Sequence, residues 1–428
     1  MKQVVQVCIG KAATPVGTLA HTRQGQREHS AFAYADSWLH HAGRFEVSPD
    51  LPLLAGHQVR RAPAKADSVF HGALADTAPD AWGRRVMARA HAKRRKQDPT
   101  LGALTEMDYL CAVDDFSRVG ALRLMDGAGS AGQTSLQTTE EGRRHTPPLL
   151  ELAHIYSASR SVEMSQETAQ DLLYLQGKGT SLGGMRPKCT VLDEDGHLAI
   201  GKFPSVSDQR SVTRGEVLAL HLAQMAGIQV PPSRVAVVGE TPVAVIRRFD
   251  RTPDHGRIPY LSAASVLQAS RDDDHAYTEL ADAIRARSPQ PTEDVQQLWR
   301  RMVFNLLITN VDDHLQNLGF LHQGQGFWSL APAFDINPFP DKERESKTWL
   351  SPEQGPITSI DMLLQAAPYF SLTPAQANAT LAQVVDAVGA WRTVARSPAV
   401  GLSAHELTDF ADAFEHGALQ AAHHHLGR

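Results

Sequence analysis

The run Asn310-Val311-Asp312-Asp313-His314-Leu315-Gln316-Asn317 crowds polar and charged residues onto the end of the apolar stretch Trp299 to Ile308, which carries Val303, Leu306 and Leu307. Carboxylates beside a core are costly to desolvate, so a loop of this composition points to chemistry rather than to packing. Asp312 can take the proton of a hydroxyl. Asn317, five positions on, offers an amide oxygen to a hard cation. Phosphoryl transfer uses that pairing at that spacing, which Asp313 does not have. Asp313 instead adds a second negative charge beside Asp312, where it would raise its neighbour's pKa. Further on, Leu330-Ala-Pro-Ala-Phe334-Asp335 supplies the second oxygen ligand that a magnesium ion bridging phosphates requires, although alone Asp335 reads as a turn aspartate.

Upstream, Gly177-Lys-Gly-Thr-Ser181-Leu-Gly183-Gly184-Met185-Arg186-Pro187-Lys188 has four glycines in eight positions, which exposes backbone N–H groups to an anion. It is neither a Walker A nor a Rossmann sequence, because a strand follows it. In that region Leu198-Ala-Ile-Gly-Lys202-Phe203 places Lys202 on one strand face with Leu198 and Ile200. A lysine there needs an anionic partner, such as a ligand's phosphates, with Glu216 at the opening of the next helix as a second; the plainer reading is an edge lysine snorkelling to water. Glycine-rich loop, strand lysine, helix glutamate, Asp-x4-Asn and a later Asp stand in the order in which a protein kinase presents them.

The elements that must hold these residues are legible in outline. Val4 to Ile9 and Pro15 to Leu19 read as strands, while Ala31 to Tyr34 fits either strand or helix. Ser68 to Lys96 reads as helical with a break at Pro79. Gly127 to Pro148, rich in Gly, Ser, Thr and Gln, reads as a linker with a domain boundary near its end. Two strands flank the Asp193-Glu194-Asp195-Gly196 turn, a helix covers Glu216 to Met225, and a second strand pair covers Arg234 to Val238 and Pro242 to Arg247. Beyond residue 260 helical patterns dominate, apart from a hairpin over Leu318 to Leu330.

Six segments carry a family resemblance: Ser181-Leu-Gly-Gly-Met-Arg-Pro-Lys188, Ile200-Gly-Lys-Phe-Pro204, Glu216-x9-Ala226-Gly-Ile228, Arg248-Phe-Asp-Arg251, Asp312-x-His-x-x-Asn317 and Ala331-Pro-Ala-Phe-Asp335. Together they resemble HipA, the serine/threonine kinase toxin of bacterial HipBA toxin–antitoxin modules. Gly17-Thr-Leu19, Ala33-Tyr34 and Phe70-x-x-Ala-Leu-Ala-Asp76 match the family's N-terminal part more loosely.

The resemblance implies an α+β fold: a small β-rich N-terminal domain with its linker over residues 1–147, then a two-lobed kinase-like core over 148–428. The core's N-lobe would cover about 148–255 and its mainly helical C-lobe about 256–428. ATP and Mg2+ would be the cofactors. Asp312 would be the catalytic base, Asn317 and Asp335 would hold magnesium, and His314 would line the same site. Gly183, Gly184, Met185, Arg186 and Lys188 would cradle the phosphates, which Lys202 would contact, with Glu216 as a supporting ion pair. The backbone of Arg247 to Phe249 would meet adenine. Ser181 occupies the position that is autophosphorylated in the family, which switches the kinase off. A protein substrate such as an aminoacyl-tRNA synthetase, a small helix-turn-helix antitoxin and, through it, DNA would be the partners. Met185-Arg186 stands where better-known members have Ala-Gln, and the connector opens on Arg247 rather than an acidic residue.

Composition narrows the alternatives. The chain has 428 residues, 42 basic against 47 acidic, hence a formal charge of -5 and no general attraction to polyanions. Three widely spaced cysteines exclude a disulfide framework, and the start lacks a signal peptide's pattern. No run approaches the roughly 18 apolar residues of a membrane helix, so a cytoplasmic protein is expected. Arg84 to Lys96 could form a phosphate-contacting stripe, although basic helix faces are more often simply solvated. The histidine runs His40-His41 and His423 to His425 lack metal-ligand spacing and read as exposed. Two other functions fit the residues: a catalytically silent binding partner of an antitoxin and DNA, and a small-molecule or lipid kinase.

Overall fold

The protein is described by a computed structural model over residues 2–62, 67–126, 151–175, 184–270 and 273–428. The expected linker, the boundary near 147, and the head of the glycine-rich segment with Ser181 and Gly183 lie outside the described residues. The chain forms two compact units. One comprises Met1–Ser207, Arg247–Asp272 and Gly324–Gly326; the other comprises Asp208–Ile246, Asp273–Gln323 and Phe327–Arg428.

The first unit opens on an antiparallel sheet of β1 (Lys2–Ile9), β2 (Thr14–Gln24), β3 (Arg27–Tyr34), β4 (His57–Arg60) and β5 (Leu122–Asp126), in the order β4-β3-β2-β1-β5. Val7, Leu19, Phe32 and Leu124 are buried along it. Gly17 faces Val7 and Tyr34 in register, and a Cβ there would lie 2.3 Å from the Ala33 carbonyl oxygen. The segment left open between strand and helix is strand β3, because it pairs on both edges. Helix α1 (Ala81–Gln97) starts just after Pro79, and Asp80 caps it by accepting from Gly83 N–H at 2.7 Å. The expected hairpin of β6 (Lys188–Leu192) and β7 (Leu198–Lys202) follows in the same unit.

The second unit is mainly helical. Helix α2 (Val212–Met225) precedes the hairpin of β8 (Ser233–Val238) and β9 (Thr241–Arg247). Next come α3 (Tyr277–Arg287) and α4 (Pro291–Leu307), then β10 (Gly319–Gly324), β11 (Phe327–Leu330), the short pair β12 (Trp349–Ser351) and β13 (Gly355–Pro356), and α5 (Pro374–Gly389). Helix α4 starts on a proline, with Glu293 and Asp294 in its first turn facing the positive end of the helix dipole. Val295, Leu298, Trp299, Met302 and Leu306 recur at helical spacing and are buried, and Trp299 Nε1–H donates to Leu363 O at 2.9 Å. The α+β architecture is the expected one.

Candidate active site

Helix α4 ends at Leu307, and two residues on the backbone of Thr309 is left-handed (φ +54°), a conformation few residues other than glycine adopt without support. Asn310 supplies that support. Its N–H donates to Asn305 O at 2.8 Å and its Nδ2–H to Asn305 Oδ1 at 3.0 Å, which turns the chain sharply out of the helix. After the turn come Asp312 and a single 3-10 turn, Leu315–Asn317. Buried Asn317 donates its side-chain amide to Asp312 O at 2.7 Å, so the two ends of the Asp-x4-Asn spacing are tied to each other.

Adjacent aspartates have opposite surroundings. Asp312 is half-exposed; its Oδ1 accepts from Lys347 Nζ, with His314 Nε2 4.0 Å from the same oxygen. Asp313 points into the protein, accepting from Tyr277 Oη–H at 2.7 Å and from Lys347 N–H at 2.7 Å, while Thr348 Oγ1–H donates to its carbonyl at 2.6 Å. Burial pushes the Asp313 carboxyl up to about 6. Desolvation is the cause of that rise, and the hydrogen bonds from Tyr277 and from Lys347 N–H work against it. Burial, more than any charge, also lowers the His314 pKa, and among charges Asp312 and Asp335 raise it while Lys347 lowers it. His314, Asp312, Asp335 and Lys347 thus share one electrostatic neighbourhood.

Asp335 stands five residues beyond β11 at φ +55°, a second left-handed non-glycine residue. Such strain persists only where neighbours fix it. Here Arg301 of α4 donates to Ala331 O at 2.7 Å, Asn337 N–H to Asn310 Oδ1 at 3.3 Å, and Phe339 N–H to Thr309 O at 3.1 Å. The Asp335 segment is thereby stitched to the loop that carries Asp312. Asn337 Oδ1 is buried with no hydrogen-bond donor beside it. Among the described residues no cluster of three or more His, Cys, Asp or Glu gathers as a metal site. An Asp–Asn oxygen pair still fits magnesium, which prefers hard oxygen ligands and takes the rest of its shell from phosphates and water.

Glu216 lies buried in the second turn of α2 rather than opening it. The other predicted residues lie in the first unit. Lys188 and Lys202 stand directly opposite each other in the β6–β7 register, a like-charge pairing that favours an anion nearby. Lys188 is buried and forms an ion pair with Asp80 at 3.2 Å, and a Cβ on Gly184 (φ +105°) would stand 2.7 Å from its ammonium. Met185 is exposed. Arg186 is partly exposed. Arg247 pairs with Asp195 in the β6–β7 turn, and the ring centroid of Phe249 is 6.3 Å from that of Tyr260.

Two cations of the basic segment are neutralised within the unit, while Arg85, Arg94, Arg95 and Lys96 are exposed. Arg84 forms a two-pronged pair with Glu106 (2.7 and 2.8 Å), Arg89 meets Glu167 at 2.8 Å, and Lys93 donates to Glu167 O. Two features escape a reading of the sequence. One is Lys347, which nothing in its charged surroundings distinguishes. The other is the buried cluster Arg248–Asp250–Arg251, whose members were visible only as part of a motif.

This is an α+β, two-domain, kinase-like fold. The HipA N-terminal domain family matches residues 6–124 and the HipA-like C-terminal domain family matches residues 180–392, so the chain belongs to the HipA family. A Sinorhizobium fredii (strain NGR234) protein named a candidate kinase, Y4mE, is 25% identical over 413 residues, covering 90% of this chain and 84% of its own. A Haemophilus influenzae protein, also named a candidate kinase, is 24% identical over 188 residues, covering 38% of this chain and 55% of its own. The solved Shewanella oneidensis MR-1 toxin–antitoxin complex of HipA, HipB and operator DNA matches with a TM-score of 0.65 at 16% identity, over 99% of this chain and 97% of that one. Family and relatives make this a HipA-type kinase family member.

Proposed function

We propose that the chain is an ATP- and Mg2+-dependent serine/threonine protein kinase, the toxin of a type II toxin–antitoxin module. The carrying observation is the loop that ties Asn317 to Asp312 and is itself stitched to the left-handed Asp335 segment. In this reading Asp312 accepts the proton of the incoming serine or threonine hydroxyl through Oδ2, the oxygen that Lys347 leaves open. Magnesium, held by Asn317 and Asp335, would neutralise phosphate charge. Gly183, Gly184, Met185, Arg186, Lys188 and Lys202 would bind the phosphates, and the backbone of Arg247 to Phe249 would receive adenine, as the family resemblance implies. Lys188 would then exchange its ion pair with Asp80 for a nucleotide anion.

An aminoacyl-tRNA synthetase is the substrate class the family suggests, and Ser181 is the proposed site of autophosphorylation. The Shewanella complex supports a small DNA-binding antitoxin as partner, with operator DNA bound through that assembly. Incubation with γ-labelled ATP followed by peptide mapping tests the reading. Label on Ser181 and on an added protein substrate is expected. Absence of label from both, with the protein folded and freed of antitoxin, would reject it.

A further inference from the structure

Lys347 belongs to no motif of the proposed function, yet its ammonium sits on the carboxylate proposed to be the base. A lysine at the tip of a free loop could reach many partners, and such a contact would mean little. The backbone here is not free. Lys347 N–H donates to Asp313 Oδ1 at 2.7 Å, Thr348 Oγ1–H to Asp313 O at 2.6 Å, and Trp349 N–H to His275 O at 2.8 Å. Ser346 Oγ–H donates to Thr348 O at 2.6 Å and accepts from Ile357 N–H at 2.8 Å, which ties the segment to β13's end of the β12–β13 pair. Asp313 is fixed in turn by Tyr277 of α3. The backbone of residues 346–349 is therefore moored to the catalytic loop on one side and to β12 and β13 on the other. Only the side chain of Lys347 extends back to Asp312.

We propose that Lys347 is a catalytic residue for phosphoryl transfer: it holds Oδ1 of Asp312 so that Oδ2 faces the hydroxyl, and it donates its remaining N–H groups to the transferred phosphoryl oxygens. This inference rests on the kinase reading above. An ammonium has three donors, and Asp312 uses one of them. In the step, the substrate oxygen bonds to Pγ as the bond from Pγ to the bridging oxygen breaks. The electron pair of that bond leaves on ADP, the hydroxyl proton passes to Oδ2 of Asp312, and Lys347 keeps its proton throughout. A cation fixed at the point where charge shifts lowers the barrier without needing to reorganise.

The test compares full-length wild type with Lys347→Met and Lys347→Arg, measuring kcat, KM for ATP, and the Kd of a non-hydrolysable ATP analogue by calorimetry. Lys347 is exposed, so the variants should melt with the wild type, which thermal unfolding checks. Lys347→Met is expected to lower kcat by roughly 100–1,000-fold with Kd changed less than about threefold, and Lys347→Arg to recover most of kcat, since a preorganised donor of this kind contributes on that scale. Unchanged or increased kcat in Lys347→Met, the latter marking an autoinhibitory contact, would overturn the proposal while leaving the kinase reading intact. A wild type that binds the analogue but transfers no phosphate would overturn both.

Discussion

At the scale of single residues, Asp312 and Asp313 show how one peptide bond separates two chemistries. Asp312 is open to an incoming group; Asp313 is structural and holds the segment that brings Lys347 back. Asp313 also carries a pH signature. Its carboxyl titrates near 6 when folded against 3.8 in an unperturbed chain, so between those values the folded state binds the extra proton. The stability it contributes is fully present below about pH 4 and is lost as pH rises through about 6. Asp313→Asn removes that loss, so its stability relative to wild type should improve between pH 4 and pH 7 by about 3 kcal/mol. Urea unfolding at several pH values measures the difference, and a pH-independent difference would contradict the assignment. Asp312, Asn317 and Asp335 were legible because their spacing is local and their types are costly beside a core. Lys347 was not, because its contact spans 35 residues and depends on a mooring that no periodicity encodes.

Among elements, the connector after β9 is held by charge. Asp250 accepts from Gly120 N–H at 2.7 Å, from Arg248 Nε–H at 2.8 Å and from Arg251 at 2.7 Å, while Arg248 also donates to Ser117 O and Arg118 O. Burial pushes the Asp250 carboxyl up, but Arg248 and Arg251 outweigh it and hold the group well below the usual carboxylate range. All these residues lie in the first unit, so the connector residues Arg247 to Phe249 are braced by the loop before β5. Asp250→Ala strands two buried guanidinium groups and should cost about 3–5 kcal/mol, read as a lowered urea midpoint. Arg94→Ser, at the exposed end of α1, should change stability by less than about 0.5 kcal/mol. A mild effect at Asp250 would mean that the cluster is not what braces the connector. Helix α4 and the hairpins were readable from 3.6-residue spacing and turn residues. The choice at Ala31 to Tyr34 was not, because β3 is decided by its two neighbouring strands rather than by its own sequence.

For the whole molecule, the formal charge of -5 gives no general attraction to a polyanion, and on α1 Arg84 and Arg89 are paired with carboxylates of their own unit while Arg85, Arg94, Arg95 and Lys96 are exposed. The chain alone should therefore retard operator-like DNA weakly at physiological salt, with binding appearing when a DNA-binding antitoxin is added. Tight, sequence-specific retardation by the isolated chain would contradict this. Among the described residues no helix is long and apolar enough to cross a membrane. The family was legible because its motifs are short and dense in functional residues; the chain's division into two units was not, because it groups segments far apart in sequence. The central claim is that Asp312 takes the hydroxyl proton while other residues bind nucleotide. The most direct test is a single-turnover assay of γ-phosphate transfer by wild type and Asp312→Asn, with nucleotide affinity measured on the same samples. Transfer should fall by roughly 10²–10⁴-fold while affinity stays within a few-fold; transfer at the wild-type rate in Asp312→Asn would contradict the claim.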